Sequence, residues 1–173
     1  RSALEGPQPE PTMYGKHRKA FLEAMEDGDL ALCPGASHVT RNHDVEYPFR
    51  QQSDFLYLTG CHEADALLML AKGIDGLPEE TLFVLPRDPA KETWTGVRLG
   101  PEGAIEKLGF GHAATVDEID EEVPAAMRQA RRLWHRLGEH ADLDALVLET
   151  LAETRMQARL GVQPPAAIVD PAP

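Results

Sequence analysis

The chain has 173 residues, 42% of them hydrophobic and 27% charged, which is enough to bury one core and too apolar for a disordered polymer. Its 29 acidic and 17 basic residues give a net charge of −12, and the Lys and Arg are interspersed with acids, so the composition argues against a nucleic-acid-binding surface. No apolar run reaches the length of a membrane span, and two cysteines, Cys33 and Cys61, too few and too far apart for a zinc site or redox pair, suit a reducing, cytoplasmic setting.

Residues 1–11 are polar and proline-rich and are expected to form a flexible extension. Thr12 has N-cap chemistry, and Met13, His17, Ala20, Phe21, Ala24 and Met25 follow at helical spacing until Asp27-Gly28. Four short apolar runs come next, Leu30–Cys33, Phe55–Leu58, Ala66–Ala71 and Leu82–Leu85, separated by turn residues. They are apolar at successive positions, so each is expected as a strand inside a sheet covered on both faces. Pro101 to Leu108 predicts a short helix stopped by Gly109. Residues 117–131 run from acidic to basic, the order that a helix dipole favours, with Pro124 expected to interrupt or restart the helix. Leu133–Leu137 is a further candidate strand, and Asp142 to Leu160 is the last predicted helix, capped by Gly161. The fold class is therefore α/β, with a sheet covered on both faces, spanning residues 12–162. The proline-rich stretch 163–173 is expected to open a linker.

The search for chemistry in these residues is negative. Cys61-His62-Glu63-Ala64-Asp65 begins like a metallopeptidase helix but lacks the second histidine at i+4. His38/His43 and His135/His140 are each five apart, which places no two imidazoles on one helical face. Neither Ser37 nor Ser53 sits in a nucleophile elbow. The cluster Arg128, Arg131, Arg132 and Arg136 is expected to balance the acids of 117–122. Two dense stretches need another account: Tyr47-Pro-Phe-Arg-Gln-Gln-Ser-Asp-Phe-Leu-Tyr-Leu-Thr-Gly60, and Trp94-Thr-Gly-Val-Arg-Leu-Gly-Pro-Glu-Gly-Ala104, where a tryptophan stands in a loop-like setting between prolines and glycines.

Both stretches resemble the signatures of the N-terminal domain of Xaa-Pro aminopeptidases (aminopeptidase P) in the creatinase/prolidase superfamily, and Pro165-Ala-Ala-Ile-Val-Asp170 resembles that domain's closing motif. The resemblance implies a following C-terminal catalytic domain that holds two divalent metals, usually manganese, with no cofactor and no catalytic residue in this chain, which alone is expected to be inactive. It implies an α/β fold with a mixed β-sheet flanked by helices on both faces, and a homo-oligomer acting on proline-containing peptides, in which this domain assists assembly and closure of the substrate groove. It also implies three substrate-facing positions. Asp44 would reach an active site, its own or a neighbouring subunit's; Trp94 would cover substrate; Arg159 would face the peptide. From the residues alone, Asp44 also suits a turn, Trp94 a packing contact and Arg159 the end of its helix. Arg50 is expected to be a structural hydrogen-bonding residue. A prolidase and a non-catalytic binding module of the same fold are the alternatives.

Overall fold

The computed structural model describes residues 11–171 apart from 39, 43, 44 and 47. Helix α1 (Pro11–Ala24) leads into strand β1 (Asp29–Pro34), after which β2 (Thr40–Asn42) and β3 (Val45–Glu46) pair with each other. Helix α2 (Ser53–Thr59), strands β4 (Leu67–Ala71) and β5 (Glu80–Val84), and helices α3 (Pro89–Thr95) and α4 (Gly100–Leu108) follow. The chain continues through β6 (Ala113–Thr115), α5 (Ile119–Met127), β7 (Arg132–Trp134), α6 (Ala141–Met156) and β8 (Ala167–Val169). The main sheet has the order β6-β5-β4-β1-β7-β8, and only β4 runs against the other five strands.

The continuous apolar runs are explained by what each face of the sheet meets. Leu30, Leu32, Leu67, Met69, Phe83 and Leu133 point to a layer formed by α5 and α6, with Val123, Met127, Val147 and Leu151. Their sequence neighbours Ala31, Leu68, Leu70, Leu82 and Val84 point to the opposite layer, with Leu22, Phe55, Leu58 and Ala104 from α1, α2 and α4. Both parities of β1, β4 and β5 are buried, so no polar alternation survives there. The mixed sheet with helices on both faces is the architecture that the family resemblance implies, and the two-sided burial is what the apolar runs predict.

Three local expectations are corrected. Phe55–Leu58 is not a strand but the body of α2. The Gln52 side chain accepts the Phe55 N–H, Gly60 ends the helix in the left-handed region (φ 66°), and Phe55, Leu58 and Thr59 are buried while Tyr57 is 58% exposed. A four-residue apolar run carries no period of its own, and here the caps decide it. Gly60 is required twice over, because a Cβ there would lie 2.4 Å from the Tyr14 ring of α1. Pro124 does not interrupt α5, although the helix stops at Met127 rather than 131. The bond it forfeits is one near the helix start, and burial of Val123, Pro124, Ala126 and Met127 offsets it.

The inward face of α1 is also rotated from the expected stripe. Arg18, Leu22 and Met25 are buried, whereas Met13, Ala20 and Ala24 are exposed. Arg18 is 2% exposed: Nη1 donates to the Leu58 carbonyl (2.9 Å), Nε forms an ion pair with Glu80 at 3.0 Å, and the guanidinium sits 4.0 Å from the Phe110 ring centre. One arginine thus ties α1 to α2, β5 and the segment before β6. Arg18→Ala is expected to lower unfolding free energy by about 3 kcal/mol in urea titrations, and Arg18→Met by clearly less, because Glu80 can reach water while the methionine refills the site. Equal losses from the two variants would show that the charge rather than the packing is what matters.

The tail expected to open a linker contributes β8, which adds to the sheet edge alongside β7. Its neighbour Arg136 gathers Asp54, Glu139 and Asp170 at 3.6, 3.3 and 3.4 Å. Arg132 pairs with Asp29 and Glu26, and Arg128 with Glu153. Among the described residues these are the ion-pair partners of the cluster, although Arg128 also shares a crevice with Asp120 and Glu121.

Candidate functional site

The strand directions sort the candidate residues. β1, β5, β6, β7 and β8 all end at one edge of the sheet, called here the C-edge, and every segment leaving those ends lies there. The β2–β3 pair, the start of α2, α3 and the start of α6 therefore share it. A cleft of about 470 Å³ opens at the C-edge between β1, α2 and α6, lined by Cys33, Gln52, Asp54, Arg136, His140 and Pro171 among others. Crevices beyond strand ends are where open α/β sheets offer surface for partners.

The first signature stretch is largely explained by the way α2 is built. Gln51 is buried and makes four hydrogen bonds: Oε1 accepts from Ala36 N (2.7 Å) and Gln52 N (3.0 Å), and Nε2 donates to the Cys61 (3.1 Å) and Glu63 (2.8 Å) carbonyls. Thr59 Oγ1 donates to the Phe55 carbonyl and accepts from Cys61 N. Gln51 is thus the clamp of the segment, while Arg50, given the structural role on sequence grounds, is exposed. Tyr57 stacks on His17 with ring centres 3.7 Å apart, and His17 Nδ1 lies 2.8 Å from the Tyr57 carbonyl oxygen, so His17 stands at the edge of the core.

The second stretch forms an arm. Asp88 caps α3 by accepting from Ala90 N and Lys91 N, and Arg87 makes a two-point contact with Glu92 (2.6 and 3.0 Å). Trp94, expected in a loop, rides on this short helix and is 89% exposed. Past it, Gly96 (φ 89°) and Gly100 (φ 64°) take positive-φ conformations that favour glycine. Arg98 Nη1 donates to the Pro86 carbonyl (3.3 Å), and the Leu99 N–H is received by the carboxylate of Glu63. Burial pushes Glu63 above the ordinary carboxylate range, against the Leu99 N–H and the Arg98 charge, which pull it down.

Of the three positions implied by resemblance, Trp94 stands at the C-edge. Asp44 lies outside the described residues, between β2 and β3 in sequence, which also emerge at the C-edge. Arg159 does not join them. Helix α6 starts at the C-edge and runs back to the other end of the sheet, where Ala166 N donates to the Arg131 carbonyl (2.8 Å) just before β7. Arg159 is exposed in the single 3-10 turn after α6, at that far end.

Other reactive side chains are committed to structure. His135 Nε2 is 2.7 Å from Asp144, whose other oxygen accepts from Gly138 N, and His140 Nδ1 accepts the Leu143 N–H at the start of α6. Burial pushes the Cys33 thiol up to about 12 and Cys61 to about 11, which leaves both un-ionised and poor nucleophiles at neutral pH. Among the described residues, no three His, Cys, Asp or Glu side chains converge to hold a metal ion. None of their helices is long and apolar enough to cross a membrane.

The described residues form a mixed α/β domain that presents an exposed tryptophan on a short arm. The family model described as "Aminopeptidase P, N-terminal domain" matches residues 14–134, and the chain belongs to that family. The Xaa-Pro aminopeptidase of Escherichia coli K12 is 38% identical over 157 residues, covering 91% of this chain and 36% of that protein. The low-pH form of E. coli aminopeptidase P superposes with a TM-score of 0.86 at 36% identity, over 94% of this chain and 37% of that one. The Pseudomonas aeruginosa aminopeptidase PepP gives 0.87 at 36% identity, over 95% and 37% respectively. The chain therefore spans little more than a third of the length of these relatives.

Proposed function

We propose that this chain is the non-catalytic N-terminal domain of a metal-dependent Xaa-Pro aminopeptidase, which removes the first residue from peptides with proline second. The observation that carries the reading is Trp94, held on a fastened arm with most of its surface in water. A large aromatic kept exposed at that cost fits a contact completed by substrate or by another part of the enzyme. The two metals, with manganese the expected pair, belong to the catalytic domain, where they would supply the attacking hydroxide. In this reading the domain runs from α1 through β8, with residues 1–11 as an extension and the linker opening after Asp170, later than the 163 expected from sequence. The un-ionised thiols fit a cytoplasmic setting.

Trp94, the β2–β3 segment and Arg159 fit one substrate groove only if it is built from more than one subunit, because they occupy opposite ends of the sheet. This supports a homo-oligomer in which the domain both assembles subunits and closes grooves. The test is hydrolysis of Xaa-Pro tripeptides and longer peptides, with Mn²⁺, by the enzyme that carries this domain. Trp94→Ala is expected to lower kcat/KM at least about ten-fold while Tm stays within about 2 °C, since the side chain buries little surface of its own. Unchanged turnover would return Trp94 to a structural role. Cleavage of dipeptides alone would make the parent a prolidase, and absence of any cleavage would favour a binding module.

A further inference from the structure

We propose that Glu63 is the positioning residue for the Trp94 arm, coupling its seating to the clamp at the start of α2. The arm is stiff in itself, through the Asp88 cap and the Arg87–Glu92 pair, and it is bounded on its far side by two glycines in positive-φ conformations. A Cβ on Gly96 would meet nothing within 4 Å, so nothing packs against that joint. A Cβ on Gly100 would lie 2.7 Å from Arg87 Cγ, so the stem of Arg87 closes over the second joint. What fixes the arm's exit to the rest of the domain is the Glu63 carboxylate on Leu99 N–H, between those glycines, together with Arg98 on Pro86. Glu63 is in turn held by its own carbonyl, which Gln51 binds at 2.8 Å while also binding Ala36. A continuous path thus runs from Ala36 through Gln51 to the Glu63 carbonyl, and from the Glu63 carboxylate to Leu99, joining the two signature stretches at one residue.

The choice of residue matters. Among the described residues the second oxygen, Oε2, is buried without a hydrogen-bond partner, and burial raises the group's pKa. A glutamine could receive the Leu99 N–H without burying a charge. A carboxylate retained here strengthens the bond to Leu99 at a cost to fold stability, which is the signature of a group kept to hold a position rather than to stabilise.

The role of Trp94 over substrate is assumed from the reading above, but the test does not depend on it. The 173-residue chain labelled with 5-fluorotryptophan gives two fluorine resonances, Trp94 and Trp134, assigned by the loss of one in Trp94→Phe. In Glu63→Ala the Trp94 resonance is expected to shift and narrow, Trp134 to stay in place, and exchange of the Leu99 amide to accelerate at least about ten-fold. Glu63→Gln keeps an acceptor and is expected to restore most of both signals with Tm at or above that of the wild type. A folded Glu63→Ala with an unchanged Trp94 resonance and Leu99 exchange overturns the proposal, as does a Glu63→Gln variant indistinguishable from the alanine one. If these spectra behave as expected while Trp94→Ala leaves turnover unchanged, the substrate-covering reading fails and Glu63 still positions the arm.

Discussion

Asp29→Ala is expected to lower the unfolding free energy by about 3 kcal/mol, or roughly 6–12 °C in Tm for a domain of this size. Asp29 is 1% exposed at the start of β1 and accepts four hydrogen bonds: from Arg132 Nε (2.8 Å), Arg132 Nη2 (2.6 Å), Trp134 Nε1 (2.9 Å) and Glu26 N (2.8 Å). Alanine would leave the Trp134 indole and the Glu26 amide without their acceptor and the guanidinium without its nearest charge. Burial pushes the Asp29 carboxyl up, but the Arg132, Glu26 and Trp134 hydrogen bonds together outweigh it and hold the group below its ordinary value of 3.8. A depressed carboxylate stabilises the fold in full above its unfolded pKa and loses that contribution as pH falls through the folded value. The Tm gap between wild type and Asp29→Ala is therefore expected to be constant from neutrality to about pH 5 and to close below pH 3.8. A gap that does not narrow at all as pH falls below 3.8 would mean that shape, not charge, is what Asp29 contributes.

Asp29 also marks the limit of what the sequence discloses. Its main partners lie more than a hundred positions away, and no local pattern distinguishes it from the turn aspartates around it. Arg18 is hidden in the same way, since a charged residue on a predicted amphipathic helix is assigned to solvent unless its partners are known, and those sit on α2 and β5. The strands were legible because burial on both faces leaves the continuous apolar runs Ala66–Ala71 and Leu82–Leu85, which overlap β4 and β5. The same rule misassigned Phe55–Leu58, where Gln52 and Gly60 rather than the apolar residues set the structure. Trp94 drew notice as a tryptophan in a loop-like setting, but a substrate-facing role for it and for Arg159 came only from family resemblance, because an exposed tryptophan and a helix-end arginine have ordinary explanations. That they lie at opposite ends of the domain follows from strand direction, which pairing decides and composition does not.

That opposition leads to the second large effect, which concerns the oligomer. Helix α6 has 16 residues, so about 24 Å separates the C-edge from the turn that carries Arg159. An extended peptide covers that distance only with about seven residues at ~3.4 Å each, far more than the two or three beside a bond cleaved next to the N-terminus. In the proposed enzyme one groove would then draw Trp94 and Arg159 from different subunits. Full-length Trp94→Ala and Arg159→Ala enzymes are each expected to lose most of their kcat/KM. Mixing the two in one oligomer is expected to recover roughly a quarter of wild-type turnover, because random assembly places an intact Trp94 and an intact Arg159 at one groove in one case of four. Complementation requires only that the subunits exchange or are co-expressed, and intact mass measurement of the mixed oligomer confirms that they have. Mixed oligomers no more active than the mean of the two parents would place both residues at the groove of a single subunit, or remove one of them from substrate altogether.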